Sequence, residues 1–383
     1  MRVAMVSAEY PPMQGGVGDY TRELARALQA CDVQVIVITG GRPAPDDMAG
    51  PVRVVRAIGG WGWRCWSDLK RTLAAAEADL VHIQYQAAAY GLHPAINLWP
   101  RVSEWAPRTL VTFHDLRVPY VFPKAGPLRW RCVLELARRS ARAIVTNAED
   151  QARLSPHLPH PPALIPIGAN VEPQPPTGFV RSDWREQAGV GEDEVVLAYF
   201  GFLSESKGGE ELVQALATLR RRGLPVRLWF IGGQVGSADP SNRAYLERVR
   251  ALIAQGGLES WVRWTGYVSP AEVSANLLAA DLCVLPYRDG ISFRRGSLMA
   301  ALAHGLPIVS TYPAVPIPEI ADGRNVSLVP ACDAEALATR LVALIADPAA
   351  RRLLSEGARR LAGRFGWASI AARTAELYRA LEG

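Results

Sequence analysis

Arg294 and Arg295 stand immediately ahead of Gly296-Ser297 and the apolar run Leu298 to Leu302. Two guanidiniums beside the free N–H groups of a helix N-terminus make a strong diphosphate site. Negative charge grows on a diphosphate as it departs. Fixed positive groups aimed at it therefore stabilise the transition state more than the ground state. Leu298, Ala301 and Leu302 bury the helix behind the arginines, and Gly305-Leu306-Pro307 ends it, which favours this reading over two solvated side chains.

Other stretches carry complementary chemistry. Gly201-Phe202-Leu203-Ser204-Glu205-Ser206-Lys207-Gly208 follows a strand pattern and precedes a helix whose first turn holds Glu210 and Glu211. Lys207 in this glycine-framed loop is a phosphate ligand, or else the partner of those glutamates. Gly15-Gly16-Val17-Gly18 opens an earlier helix, where a close backbone and free amides suit a phosphate or a sugar hydroxyl. A tight strand-to-helix turn is the structural alternative. His114-Asp115 closes the strand pattern Leu110 to Phe113, placing an imidazole where it could hold a sugar or orient an acceptor, or serve as a satisfied loop histidine. Trp61, Trp63 and Trp66 with Arg64 form an aromatic-basic patch that fits a carbohydrate, a lipid interface or a partly buried loop. The glycine loop is not the G-x-G-x-x-G dinucleotide fingerprint, no Asp-x-Asp pair or metal cluster stands out, and no G-x-S-x-G elbow marks a hydrolase.

The elements that must position these residues alternate. Arg2 to Ser7, Val33 to Ile38, Leu80 to Ile83, Leu110 to Phe113, Ala143 to Thr146 and Ala163 to Pro166 read as strands. Between them lie helical stripes such as Tyr20, Leu24, Ala27 and Leu28, or Leu128 to Ala141. This βαβ rhythm implies a parallel sheet covered on both faces. A second series begins at Val195 to Phe200 and runs through Glu210 to Leu219, Val226 to Ile231, Val262 to Thr265, Pro270 to Ala280, Asp281 to Leu285, Ser297 to Ala303 and Ile308 to Thr311. An amphipathic helix over Trp367 to Leu381 ends it. The Pro-rich Glu172 to Gly178 marks a stiff junction. The expected division is an acceptor-binding domain over 1–172, a linker over 173–194, a nucleotide-sugar domain over 195–365 and a final helix over 366–383. Ligands of such sheets bind at the carboxyl ends of the strands. Two facing domains would bring loops of both to one cleft.

Composition sets the frame. The 383 residues are 49% hydrophobic and 21% charged, the balance of an ordinary globular chain long enough for two domains. The net charge of +5 suits an anionic ligand or an anionic membrane surface, and no concentrated basic stripe suggests nucleic acid. Five scattered cysteines without a C-x-x-C pair argue for a reducing compartment. No apolar run approaches the ~18–20 residues of a membrane span. Met1-Arg2-Val3 runs straight into a strand pattern, so a cytoplasmic chain is expected, with peripheral contact to the inner membrane face as a variant.

Taken together, the motifs resemble the family-4 retaining glycosyltransferases of the GT-B fold. The matching pieces span nearly the whole chain: Glu9 to Gly18, Thr112 to Asp115, Ile165 to Asn170, Gly201 to Gly208, Trp264 to Val268, Ala279 to Pro286 and Ala300 to Val309. The resemblance implies an α/β GT-B architecture of two facing Rossmann-like, doubly wound domains, with the last helix crossing back to the first. It implies that Gly15, Gly16 and His114 face the leaving phosphate and the transferred sugar. Lys207 would bind the diphosphate and Tyr267 and Val268 would lie against the nucleoside, while Gly201, Arg294, Arg295, Gly296 and Ser297 join the diphosphate site on the reading of the residues above. His114, Lys207 and Arg295 are the catalytic candidates. No cofactor is expected beyond the donor, a UDP- or GDP-linked sugar. The acceptor would be a glycan or lipid-linked molecule in polysaccharide or glycolipid assembly. The chain departs from the family at Phe202, where an arginine is usual, and at Ser292 and Ala300, where two glutamates normally contact the donor sugar and the ribose. Ser292 stays among the donor-binding candidates. The missing glutamates leave a nucleotide-sugar-binding protein without transferase activity as a rival reading, and a sugar-nucleotide epimerase of the same two-domain shape is a third, against which the matching segments argue.

Overall fold

The computed structural model describes residues 1–13, 15–45, 47, 50–116, 126–233 and 240–381. The chain divides into two compact units, residues 1–168 with 366–383, and residues 169–365. Among the described residues no helix is long and apolar enough to cross a membrane.

The first unit holds β1 (Arg2–Ser7), β2 (Gln34–Gly40), β3 (Arg53–Ile58), β4 (Leu80–Gln86), β5 (Thr109–Asp115), β6 (Arg142–Val145) and β7 (Ala163–Leu164). They pair in parallel in the order β3-β2-β1-β4-β5-β6-β7. Apolar side chains such as Ala4, Val6, Ile83, Val111 and Phe113 fill the core on one face. Helix Gly16–Leu28 follows β1, with Tyr20, Leu24 and Leu28 buried. The final helix, Trp367–Arg379, returns to this unit. Its Trp367 ring lies so close to Gly168 that an added Cβ there would come within 2.6 Å of it. The same ring lies 5.3 Å from Tyr20.

The second unit holds β8 (Val195–Phe200), β9 (Val226–Ile231), β10 (Val262–Trp264), β11 (Leu282–Leu285), β12 (Ile308–Thr311) and β13 (Ser327–Val329). These are also parallel, in the order β10-β9-β8-β11-β12-β13. In both sheets the order reverses beside the first strand of the unit, between β1 and β4 and between β8 and β11. Loops leaving those strands part there to opposite sides, which is the usual ligand position of a doubly wound sheet.

Residues 173–194 are expected to form a linker. They include the helix Arg181–Gln187, which belongs to the second unit. Asp281 binds Arg181 at 2.6 Å and Arg185 at 2.9 Å, and Trp184 donates to Asn276 at 3.2 Å. The long-range charge partner of these arginines is invisible in a local reading.

Candidate active site

In the second unit, Gly201 ends β8 at φ +112 and hands the chain to the lysine loop. The loop closes at Gly208, φ +69, ahead of helix Gly209–Arg221. A Cβ at Gly208 would lie 1.9 Å from the Pro286 carbonyl oxygen, so only glycine lets this loop press against the end of β11. Arg288 clamps it from the other side. Its backbone N–H donates to Ser206 at 2.9 Å, and its guanidinium pairs with Glu211 at 2.7 Å and Glu205 at 3.3 Å. Glu210 is shared between Arg288 and Arg248.

Those glutamates are therefore not the partners of Lys207. Among the described residues, the Lys207 ammonium makes no hydrogen bond or ion pair. Burial, then the positive charge of Arg295, pushes its pKa down to about 7. Its Nζ stands 3.4 Å from where a Gly201 Cβ would be, and the Ser297 Cβ lies 3.7 Å from the same point. The structure thus gathers Gly201, Lys207, Arg295 and Ser297 at the mouth of β8 and β11.

The arginine pair differs from the open clamp that the sequence suggests. Arg294 approaches Asp289 at 3.3 Å and Arg295 approaches the same carboxylate at 2.6 Å. Two guanidiniums packed at one helix end repel each other, and a carboxylate in the same loop relieves that repulsion. Arg295 nevertheless keeps a buried Nε without a hydrogen-bond partner, and its guanidinium lies 4.8 Å from the Tyr287 ring centre. Helix Gly296–Ala303 has Arg295 at its N-cap and no side chain capping it. Its first amides stay open to an anion. Ser297 Oγ is 2.7 Å from the buried Tyr287 hydroxyl.

Ser292 shapes the loop instead of reaching outward. Its carbonyl accepts from Arg295 N at 3.1 Å and its hydroxyl from Arg294 N at 3.5 Å. Ala300 is buried within the helix. Phe202 packs on Gly233, where an added Cβ would meet its ring at 2.7 Å. Tyr267 is 71% exposed and Val268 half-buried, on the loop after β10 at the edge of the sheet.

In the first unit, the glycine loop is not an empty anion site. A Cβ at Gly15 would fall 2.1 Å from Glu9 Oε2. The Glu9 carboxylate lies against the start of the Gly16–Leu28 helix, where the Val17 N–H stabilises it, while burial and then Asp19 raise its pKa. The protein's own acid thus takes one of the helix-start amides that an anion would otherwise use. At Gly16 an added Cβ would meet nothing within 4 Å, so space remains on its far side. Gln14 of this loop lies outside the described residues.

His114 is half-buried at the end of β5. Its Nε2 is 2.9 Å from Gln84 Oε1, and its ring packs edge-on to Tyr20 at 4.6 Å. Burial pushes its pKa down to about 3, so the ring is neutral at physiological pH. Gln84 is a functional candidate that the sequence reading does not include. Its signal is the polar pair His82 and Gln84 two apart in an otherwise apolar strand. The tryptophan patch is mostly structural: Trp61 packs on Tyr90 at 4.8 Å and Trp66 donates to the Ala95 carbonyl at 2.9 Å, leaving Trp63 52% exposed. Among the described residues, no group of three or more His, Cys, Asp or Glu comes together to hold a metal ion.

Comparison with known proteins supplies the identity of this arrangement. Residues 14–172 match the family model for Glycosyltransferase Family 4, and residues 194–347 match that for Glycosyl transferases group 1. A D-inositol 3-phosphate glycosyltransferase of Corynebacterium urealyticum is 27% identical over 412 residues, covering 100% of this chain and 96% of the relative. One from Streptomyces bingchenggensis is 26% identical over 98% of this chain and 89% of its own. A sucrose-phosphate synthase of Thermosynechococcus elongatus superposes with a TM-score of 0.79 at 23% identity, over 100% of this chain and 99% of that one. Anabaena HepE, solved with UDP and glucose, gives 0.79 at 19% identity over 99% and 100%. These likenesses show the fold, two Rossmann-like parallel-sheet units of the GT-B type. With both halves matched, the chain belongs to the group 1, family 4 glycosyltransferases and is an enzyme of glycosyl transfer.

Proposed function

We propose that the protein is a retaining glycosyltransferase that moves a hexose-type sugar from a UDP- or GDP-linked donor to a glycan or lipid-linked acceptor. One observation carries the reading. A half-buried lysine amine with no partner among the described residues and an uncapped helix N-terminus converge at the switch point of the second sheet. A diphosphate supplies the missing counter-charge for the first and the missing acceptors for the second. HepE was solved with UDP-glucose, which makes UDP the first nucleotide to try.

In this mechanism Lys207, Arg295 and the amides of Gly296 and Ser297 hold the diphosphate. Positive charge that is already in place stabilises the leaving group as the anomeric bond loosens and oxocarbenium character develops. The acceptor hydroxyl attacks from the face that the leaving group departs, and its proton passes to the leaving phosphate oxygen. Lysine, arginine and helix amides supply the charge that a metal ion would otherwise provide, so the reaction runs without one. The neutral His114 serves the transferred sugar through a hydrogen bond. The acceptor shares the hydroxyl chemistry of the inositol phosphate in the relatives' name.

A panel of UDP-, GDP-, ADP- and dTDP-sugars tests this by thermal shift and by slow donor hydrolysis. The reading expects stabilisation and release of the nucleoside diphosphate with a UDP- or GDP-sugar. Stabilisation and turnover confined to ADP- or dTDP-sugars would overturn the donor assignment, and the absence of both with every donor would overturn the site.

A further inference from the structure

The face of the first sheet opposite its apolar core carries a row of buried polar residues. His82 and Gln84 alternate along β4, and Thr112 and His114 along β5. His82, Gln84 and Thr112 are essentially inaccessible. Buried polar groups of this kind must satisfy one another.

Their hydrogen bonds run in one direction. Gln84 Nε2 is 3.3 Å from His82 Nε2, and Thr112 Oγ1 is 2.7 Å from the same nitrogen. An amide NH2 only donates, so that nitrogen carries the lone pair. The His82 proton is then on Nδ1, which donates to the Tyr378 hydroxyl at 2.6 Å. Tyr378 belongs to the final helix and is fully buried. At its other end, Gln84 Oε1 only accepts, so His114 Nε2, 2.9 Å away, must carry the proton. His114 Nδ1 is left bare, with no hydrogen bond among the described residues. Burial keeps both rings neutral, His82 and His114 each being pushed down to about 3.

We propose that Gln84 is a positioning residue that locks His114 as its Nε2–H tautomer, and that through His82 this choice is coupled to Tyr378 of the C-terminal helix, whose hydroxyl accepts the His82 Nδ1 proton. His114 then offers its ligand only a hydrogen-bond acceptor at Nδ1, which fits a sugar hydroxyl and rejects a bare phosphate oxygen. The relay also gives the returning helix a chemical task beyond packing. Its effect on catalysis rests on the role proposed above for His114.

The test is long-range 1H–15N correlation on the full chain labelled at histidine, with His114→Asn used to assign its signals. The wild type is expected to show His114 only as the Nε2–H tautomer. Gln84→Leu should turn this into a mixture and lower the kcat for UDP-glucose hydrolysis at least tenfold, with KM changed less than threefold. Gln84→Glu keeps an oxygen acceptor and should restore the single tautomer. Tyr378→Phe removes one hydroxyl from the outer end and should loosen His82 even if Gln84→Leu fails to fold. A wild-type His114 with its proton on Nδ1, or a His114 spectrum unchanged in Gln84→Leu, overturns the relay whatever the activity. Undiminished hydrolysis by His114→Ala instead overturns the functional role of His114, and it does so without disturbing the wild-type spectrum.

Discussion

Raising the pH should weaken nucleoside diphosphate binding through Lys207 alone. In the free protein this amine sits at about 7, because burial and the Arg295 charge disfavour the ammonium. A bound diphosphate restores the counter-charge and lifts it toward the ordinary 10.5. Between those two values the complex holds more protons than the free protein, so affinity falls as pH rises. At pH 8 the free amine is about one-tenth protonated and the bound amine almost fully, an uptake of about 0.9 proton per UDP. From pH 7 to 9 the dissociation constant should rise by up to about fiftyfold, a ceiling because solvent at this half-buried loop screens the interaction. Calorimetry of UDP binding in two buffers of different ionisation enthalpy reads the uptake directly. Lys207→Arg keeps the charge without the titration and should flatten the profile. A wild-type affinity constant over pH 7–9, with no proton taken up, would refute the reasoning.

Other expectations follow from the same geometry. Arg295→Ala removes the guanidinium at the helix mouth and should raise the UDP dissociation constant at least tenfold, about 1.4 kcal/mol, by calorimetry. Unchanged affinity would assign Arg295 to the Asp289 pair alone. Gly208→Ala forces a Cβ to 1.9 Å from the Pro286 carbonyl at φ +69, and should cost about 2 kcal/mol or more in thermal or urea unfolding. An unchanged melting temperature would show that the lysine loop moves freely. Tyr287→Phe deletes the partner of Ser297 and should cost about 1 kcal/mol of stability, with UDP affinity changed less than threefold.

Much of the fold was legible because buried parallel strands leave continuous apolar runs. Val195 to Phe200 and Val226 to Ile231 read from the sequence with the bounds the structure gives them. The edge strand β3 was not read, since Arg53 and Arg56 interrupt its apolar pattern. Helices Ala334–Ala346 and Pro348–Ala362 also escaped notice, being helices far from any chemical motif. At the site, Lys207 and the Gly296–Ala303 N-terminus were legible from glycine placement and charge order. The pairing of both arginines with Asp289 was not, although Asp289 lies only a few residues away. Three charges in one loop admit several pairings, and packing chooses among them. The Glu9 carboxylate at the first helix start and the Gln84 relay depend on strand register and chain reversal. Neither leaves a local trace beyond a polar residue in an apolar strand.

A crystal structure of the full chain soaked with UDP tests the central claim most directly. The β-phosphate should sit within hydrogen-bond distance of Lys207 Nζ and of the amides of Gly296 and Ser297, with the Arg295 guanidinium turned toward it. A diphosphate bound elsewhere, with Lys207 still unpartnered, would contradict the account.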